Sequence, residues 1–85
     1  MKLHPGLASA RKKIDALDAR IAALLARRFE IASGLGAFKD KVADGARERA
    51  VLAAVSRAAG RRYAADVRAV FAGVISRSKK LQRTK

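Results

Sequence analysis

The feature that most constrains this chain is a long repeat of apolar residues near its start. The repeat alternates steps of three and four residues, which is typical of one face of a helix in a coiled coil. Its members are Leu7, Ala10, Ile14, Leu17, Ile21, Leu24, Ile31, Leu35 and Phe38. Because Pro5 suits the first turn of a helix, the pattern predicts one very long helix from about Pro5 to Phe38.

A helix of this length does not fit inside a compact monomer. About 33 residues span about 50 Å, whereas a compact chain of this size is about 30 Å across. A seam of apolar residues left in water would be a large exposed patch. We therefore expect self-association through the first helix, as an intertwined antiparallel homodimer with two-fold symmetry.

Two shorter helices follow along the chain. Asp44 is a good N-cap for a helix from about Ala46 to Ala59, and Gly60 ends that helix. A third helix starts between Ala64 and Asp66 and continues into the basic C-terminal run. The sequence has one Pro, six Gly and no strand-like alternation, so it predicts an all-α chain of three helices in a single domain over residues 1–85.

The amino-acid composition excludes several classes of function. The 20 Lys and Arg residues outnumber 7 Asp and Glu, giving a net charge of +13, yet 51% hydrophobic residues are too many for a disordered basic tail. The absence of Cys excludes thiol catalysis and thiolate metal sites, and one His forms no cluster or Ser-His relay. We expect no metal and no cofactor. With no Cys, no membrane-length apolar run and no signal peptide, we also expect a cytoplasmic protein.

Polar residues occupy positions where the apolar pattern predicts a buried side chain. Counting heptads from Leu7, the next seam position after Ile21 is Arg28, and both Arg11 and Lys39 lie one position off the seam. Glu48 begins the apolar stripe of the second helix. Ser78 and Gln82 extend the stripe of the third helix by successive turns.

The predicted interior holds more positive charge than its own acids balance. A buried ion costs several kcal/mol unless it is paired, and Glu48 alone cannot neutralise Arg28, Lys39 and the nearby Arg47. One interpretation is an anionic ligand with more than one negative charge. The alternative is that Arg28 and Glu48 form a structural ion pair while the Lys39 side chain reaches solvent.

Distances along the first helix favour a site shared between two chains. Arg28 and Lys39 are about 16 Å apart along a helix, so their long side chains can reach one small ligand. Arg11 lies about 25 Å from Arg28 and cannot serve the same site from the same chain. An antiparallel dimer that crosses near residues 20–22 brings Arg11 of the second chain alongside the stretch from Arg28 to Lys39.

These residues and their spacing resemble the all-helical chorismate mutase family, from Leu7 to Gln82. The segments that carry the resemblance are ARKKIDALD at 10–18, IAALLARR at 21–28, GAFK at 36–39, DGARER at 44–49 and ISRSKKLQ at 75–82. The resemblance implies an isomerase that converts chorismate to prephenate by a Claisen-type rearrangement, in the shikimate route to Phe and Tyr. It also implies a homodimer with two sites, each completed by an arginine of the other chain.

The resemblance implies specific roles for eight residues of this sequence. The implied substrate-binding residues are Arg11, Arg28, Lys39, Asp44, Arg47, Glu48, Ser78 and Gln82, of which Arg28, Lys39, Glu48 and Gln82 are the implied catalytic residues. Arg11 in trans and Arg28 would hold the two carboxylates, helped by Ser78. Glu48 and the backbone near Asp44 would bind the ring hydroxyl, and Lys39 and Gln82 would point at the ether oxygen. Arg47 would steady Glu48.

Three other kinds of interpretation remain open at this point: a relative of the same fold, a nucleic-acid-binding protein and a docking module. One alternative is an isochorismate-pyruvate lyase of the same fold, which lacks the carboxylate found here at Glu48. Another is an aminodeoxychorismate mutase, which would differ from a chorismate mutase by one contact to the ring substituent. The basic C-terminal run also suits a nucleic-acid-binding protein, although only 5% of residues are aromatic. A helical module that docks on a larger acidic enzyme is the third. In any of these, the charge predicts non-specific polyanion binding at low salt.

Overall fold

Three helices account for nearly all of the chain that a computed structural model describes, which is residues 5–35 and 44–83. They are α1 (Pro5–Gly34), α2 (Gly45–Ala59) and α3 (Ala64–Arg83), and the described residues form no strand. The all-α, three-helix prediction is confirmed. Side chains are described up to Gln82. None of the described helices combines the length and the apolar character that crossing a bilayer demands.

Within the described residues, the first helix covers most of the apolar repeat. Helix α1 has 30 residues, a length of about 45 Å, and begins at Pro5 as expected. It ends at Gly34, a residue that costs about 1 kcal/mol against Ala inside a helix, and Leu35 adds one residue of 3₁₀ geometry. Phe38 and Lys39 lie outside the described residues.

The chain divides into two compact units, Met1–Glu30 and Ile31–Lys85. In the first unit, the apolar seam of α1 is open to solvent in a single copy of the chain. Its five large members are each 42–61% exposed: Leu7, Ile14, Leu17, Ile21 and Leu24. The apolar seam therefore exists as the sequence predicts, and its large side chains are exposed within this unit.

In the second unit, α2 packs against α3. The buried face of α3 consists of Val74, Ile75, Ser78 and Gln82, spaced so that they share one side of the helix. On α2, half-buried side chains such as Leu52 and Val55 form the opposing stripe. Ser78 and Gln82 are thus buried where the sequence pattern places them.

Both ends of α2 have the caps that the sequence predicts. Asp44 is the N-cap, and Gly60 follows the last turn with a φ of 85° and a ψ of 163°. The Gly60 N–H donates to the carbonyl oxygen of Arg57 at 3.2 Å, and its own carbonyl accepts from the Tyr63 N–H at 3.3 Å. This backbone conformation is essentially restricted to glycine, so Gly60 allows the short turn into α3.

We predict that Gly60→Ala destabilises the protein through backbone strain alone. A Cβ at Gly60 would meet no atom within 4 Å, so crowding does not contribute. We expect the free energy of unfolding to fall by about 1–3 kcal/mol. Gly73 in α3 is the matched control, because a Cβ there also meets nothing within 4 Å. Gly73→Ala should raise stability by about 0.5–1 kcal/mol. Denaturant unfolding at one protein concentration measures both, and equal stabilities would contradict the prediction.

Candidate active site

The first turn of α2 places a carboxylate at a defined position. The Asp44 side chain accepts a hydrogen bond from the backbone N–H of Arg47, Oδ1 to N 3.0 Å. The backbone N–H of Glu48 donates to the Asp44 carbonyl oxygen at 3.0 Å. Asp44 therefore fixes the start of the helix, and the negative charge of Glu48 lies in the first turn, where the helix dipole favours it.

Glu48 forms an ion pair that joins the start of α2 to the last turns of α3. Its Oε2 lies 3.1 Å from Nζ of Lys79, and the two side chains are 30% and 31% exposed. The pair is thus about two-thirds shielded from water, where attraction between charges is screened less than on an open surface.

The residues beside Lys79 on α3 are polar and buried. Ser78 is 5% exposed and Gln82 is 9% exposed. Ser78 Oγ donates to the Val74 carbonyl oxygen of its own helix at 2.8 Å, so the hydroxyl proton is already used in a hydrogen bond within α3. To donate to a ligand carboxylate, the Ser78 hydroxyl has to rotate away from that carbonyl. We call Glu48, Ser78, Lys79 and Gln82 the α2–α3 polar cluster.

Gln82 is the member of this cluster whose buried polar atoms are incompletely hydrogen-bonded. Within the described part of the chain, its buried Oε1 has no hydrogen-bond partner. A buried amide oxygen without a donor costs about 1–3 kcal/mol. A half-turn of the amide would place the N–H₂ group at the same position, so Gln82 can offer a donor or an acceptor there.

For the other residues of the predicted site, the structure gives the helix and the exposure of three arginines. Arg11 and Arg28 both lie on α1, where Arg11 is exposed and Arg28 is half-buried. Seventeen residues of helix put them about 25 Å apart, so they cannot grip the same small ligand from one chain. Arg47 on α2 has an exposed side chain. Lys39 lies outside the described residues.

The cation that pairs with Glu48 differs from the sequence expectation. The resemblance gives the steadying role to Arg47, and the structural-pair interpretation gives it to Arg28, whereas Glu48 pairs with Lys79. Adjacent helical residues such as Arg47 and Glu48 point about 100° apart, which explains why they do not meet. The sequence analysis missed Lys79 as a site residue. Its position one residue after Ser78 and three before Gln82 was the available signal.

The comparison with protein families identifies the family of this chain. A family model described as chorismate mutase type II matches residues 10–83, and the chain therefore belongs to the chorismate mutase type II family. It is accordingly an isomerase with chorismate mutase activity, which converts chorismate to prephenate in aromatic amino-acid biosynthesis. The match does not support the lyase, nucleic-acid-binding or docking-module alternatives. Searches among curated proteins and among solved structures found no match.

Metal ligands are not grouped in the part of the chain just described. Across residues 5–35 and 44–83, no three His, Asp or Glu side chains come together in a way that could hold a metal ion.

We predict that Asp44→Ala lowers the free energy of unfolding by about 1 kcal/mol, because the Arg47 N–H loses its acceptor. Asp44→Ser is the matched control, since a serine hydroxyl also accepts from this position and should retain most of the stability. Denaturant unfolding of the two variants and the parent compares them. If Asp44→Ser were as unstable as Asp44→Ala, the contribution of Asp44 would not be that of a cap.

Proposed function

We propose that the isomerisation of chorismate takes place at a site shared by two copies of the chain. One copy contributes Arg28, Lys39 and the α2–α3 polar cluster with Asp44 and Arg47, and the other copy contributes Arg11. The observation that carries this proposal is the polar cluster itself. Its Gln82 is buried with an amide oxygen that has no partner among the described residues, and it lies three residues after Lys79, the ion-pair partner of Glu48.

The inventory of side chains matches the polar groups of the substrate. Chorismate has two carboxylates, a ring hydroxyl and an ether oxygen. Arg28 and the second chain's Arg11 hold the carboxylates, since guanidinium groups bind carboxylates with two parallel hydrogen bonds. Ser78 assists once its hydroxyl rotates. Glu48 and the backbone near Asp44 bind the ring hydroxyl.

The rearrangement needs positioning and charge rather than a nucleophile. One carbon–oxygen bond breaks as one carbon–carbon bond forms, and partial negative charge collects on the ether oxygen. The two arginines hold both carboxylates and so select the folded conformer that can react. Lys39 supplies positive charge, and the Gln82 amide N–H₂ supplies a hydrogen bond, where negative charge develops.

Support for the homodimer comes from the exposed seam of α1. Its large apolar side chains from Leu7 to Leu24 are 42–61% exposed in a single copy. An antiparallel copy of the same helix would cover them and would satisfy two-fold symmetry, because the same patch serves both chains. Each half-exposed Leu or Ile that is covered contributes about 1 kcal/mol to association. We place this dimer in the cytoplasm, the reducing compartment that suits a chain without Cys.

We predict that Arg28→Ala and Lys39→Ala each lower turnover by at least about 10²-fold, the scale of losing one preorganised charged contact. Neither variant should dissociate the dimer. Steady-state kinetics that follow the loss of chorismate absorbance measure the effect. Lys12→Ala, an exposed cation on α1, is the control and should keep the parent's rate. Near-normal kinetics for Arg28→Ala would remove that residue from the site.

The shared site predicts complementation between two inactive variants. Arg11→Ala and Arg28→Ala homodimers each have two defective sites. After subunit exchange, half of the dimers are mixed, and each has one intact site, so about a quarter of the parent's activity should return. Mixing Arg28→Ala with Lys39→Ala is the control, because no arrangement of those chains restores an intact site. If mixing restored nothing, Arg11 would not act in trans.

We predict that Ile21→Glu breaks the dimer, because symmetry buries two unpaired carboxylates at the centre of the seam, at several kcal/mol each. Ala19→Glu is the matched control, since Ala19 is exposed on the opposite side of α1. Light scattering after size exclusion should give one chain's mass for Ile21→Glu and two chains' mass for Ala19→Glu. A dimeric Ile21→Glu would place the interface elsewhere.

A further inference from the structure

We infer that Lys79 is a positioning residue for Glu48, which sets the orientation and the charge of that carboxylate for substrate binding. This inference rests on the proposed function of Glu48 as the acceptor for the ring hydroxyl. The juxtaposition that carries it is the 3.1 Å contact between Lys79 Nζ and Glu48 Oε2, at a place shielded from most of the solvent.

Both ends of this ion pair are held by structure that does not depend on the pair. The Asp44 cap fixes the first turn of α2, which carries Glu48. Burial of Val74, Ile75, Ser78 and Gln82 fixes the rotation of α3 about its axis, and therefore the position from which Lys79 extends. Two side chains that start from fixed backbone lose less freedom on pairing than two chains on a mobile surface.

The contact leaves one carboxylate oxygen for the substrate. Lys79 pairs with Oε2 of Glu48, and an ionised carboxylate has two oxygens that each accept hydrogen bonds. Oε1 is therefore the oxygen available to a ring hydroxyl. Without Lys79, the carboxylate could turn about its side-chain bonds, and a smaller fraction of molecules would present an oxygen in the right direction.

Lys79 also neutralises the negative charge of Glu48, which matters because the substrate is itself a dianion. A lone carboxylate near the binding position would repel the two carboxylates of chorismate, because like charges that are shielded from water repel strongly. The paired Glu48 can accept a hydrogen bond while the pair as a whole carries no net charge. Lys79 thus lets the site use an acid for recognition without rejecting an acidic substrate.

The first test separates binding from turnover. Lys79→Met removes the charge and keeps an unbranched apolar side chain of similar length. We expect the KM for chorismate to rise about three- to tenfold with kcat changed by less than about twofold, as for an interaction made equally in the bound substrate and the transition state. Lys79→Arg should restore KM to within about twofold, because a guanidinium also pairs with a carboxylate. Lys80→Met, the exposed neighbour, should leave both constants unchanged.

A double-mutant cycle shows whether Lys79 acts through Glu48. Glu48→Gln keeps a hydrogen-bond acceptor but gives Lys79 no charge to pair with. If Lys79 acts through Glu48, Lys79→Met in the Glu48→Gln background should change KM by less than about twofold. An undiminished effect of Lys79→Met in that background would overturn the inference and make Lys79 a direct substrate contact. Circular dichroism and dimer mass, unchanged in every variant, separate these effects from loss of structure.

The outcomes also distinguish this inference from the proposed role of Glu48. If Glu48→Gln raised KM while Lys79→Met did not, Lys79 would have no positioning role and the proposed function would stand. If Glu48→Ala, which removes the acceptor altogether, left KM and kcat as in the parent, Glu48 would not bind the hydroxyl, and both this inference and the proposed role of Glu48 would fall.

Discussion

Few apolar side chains are buried in the described residues of a single copy, and the proposed dimer depends on that shortage. Among the described residues, the buried apolar side chains are Ala32, Val74 and Ile75, and no large side chain is fully buried. A core of this size supplies little of the hydrophobic free energy that offsets the conformational entropy lost on folding. The large apolar residues of the α1 seam from Leu7 to Leu24 are exposed instead. In the proposed dimer, folding and association are therefore one process, and stability depends on protein concentration.

The proposed site for a dianion depends on one carboxylate that the fold holds in place. Cations are plentiful in this sequence, with 20 Lys and Arg residues, so the scarce group is a correctly held carboxylate. The structure places Glu48 in the first turn of α2 by means of Asp44 and pairs it with Lys79 from α3. Gln82 adds a buried amide whose oxygen has no partner in the described part of the chain. The packing of α2 against α3 thus fixes a positive and a negative charge side by side. In the proposed function, charges held in this way before the substrate binds are the requirement for electrostatic catalysis without reorganisation.

Sequence alone predicts most of this fold, because the signals that matter are local. The Asp44 cap, the Gly60 stop and the apolar repeat each depend on a few neighbouring residues, and the helices α2 and α3 begin within one or two residues of their predicted positions. The burial of Ser78 and Gln82 follows from helical spacing. The pairing of Glu48 with Lys79 could not be predicted in this way, because it depends on how α2 and α3 lie against each other. Lys79 stands in a basic run in which several cations look alike, and only packing distinguishes the one that reaches Glu48.

The continuity of α1 has a consequence for how this chain can change over time. Arg11 and Arg28 lie on one uninterrupted helix, so the turns between them set both their separation and the directions of their side chains. Inserting or deleting one residue in that stretch would rotate everything beyond it by about 100° and would take the apolar seam out of register. Descendants of this sequence can vary the chemistry of the solvent-facing side of this stretch freely. In the proposed dimer, a change of length keeps the seam in register only if it adds or removes whole heptads. The partner copy then changes in the same way, because both copies come from one gene.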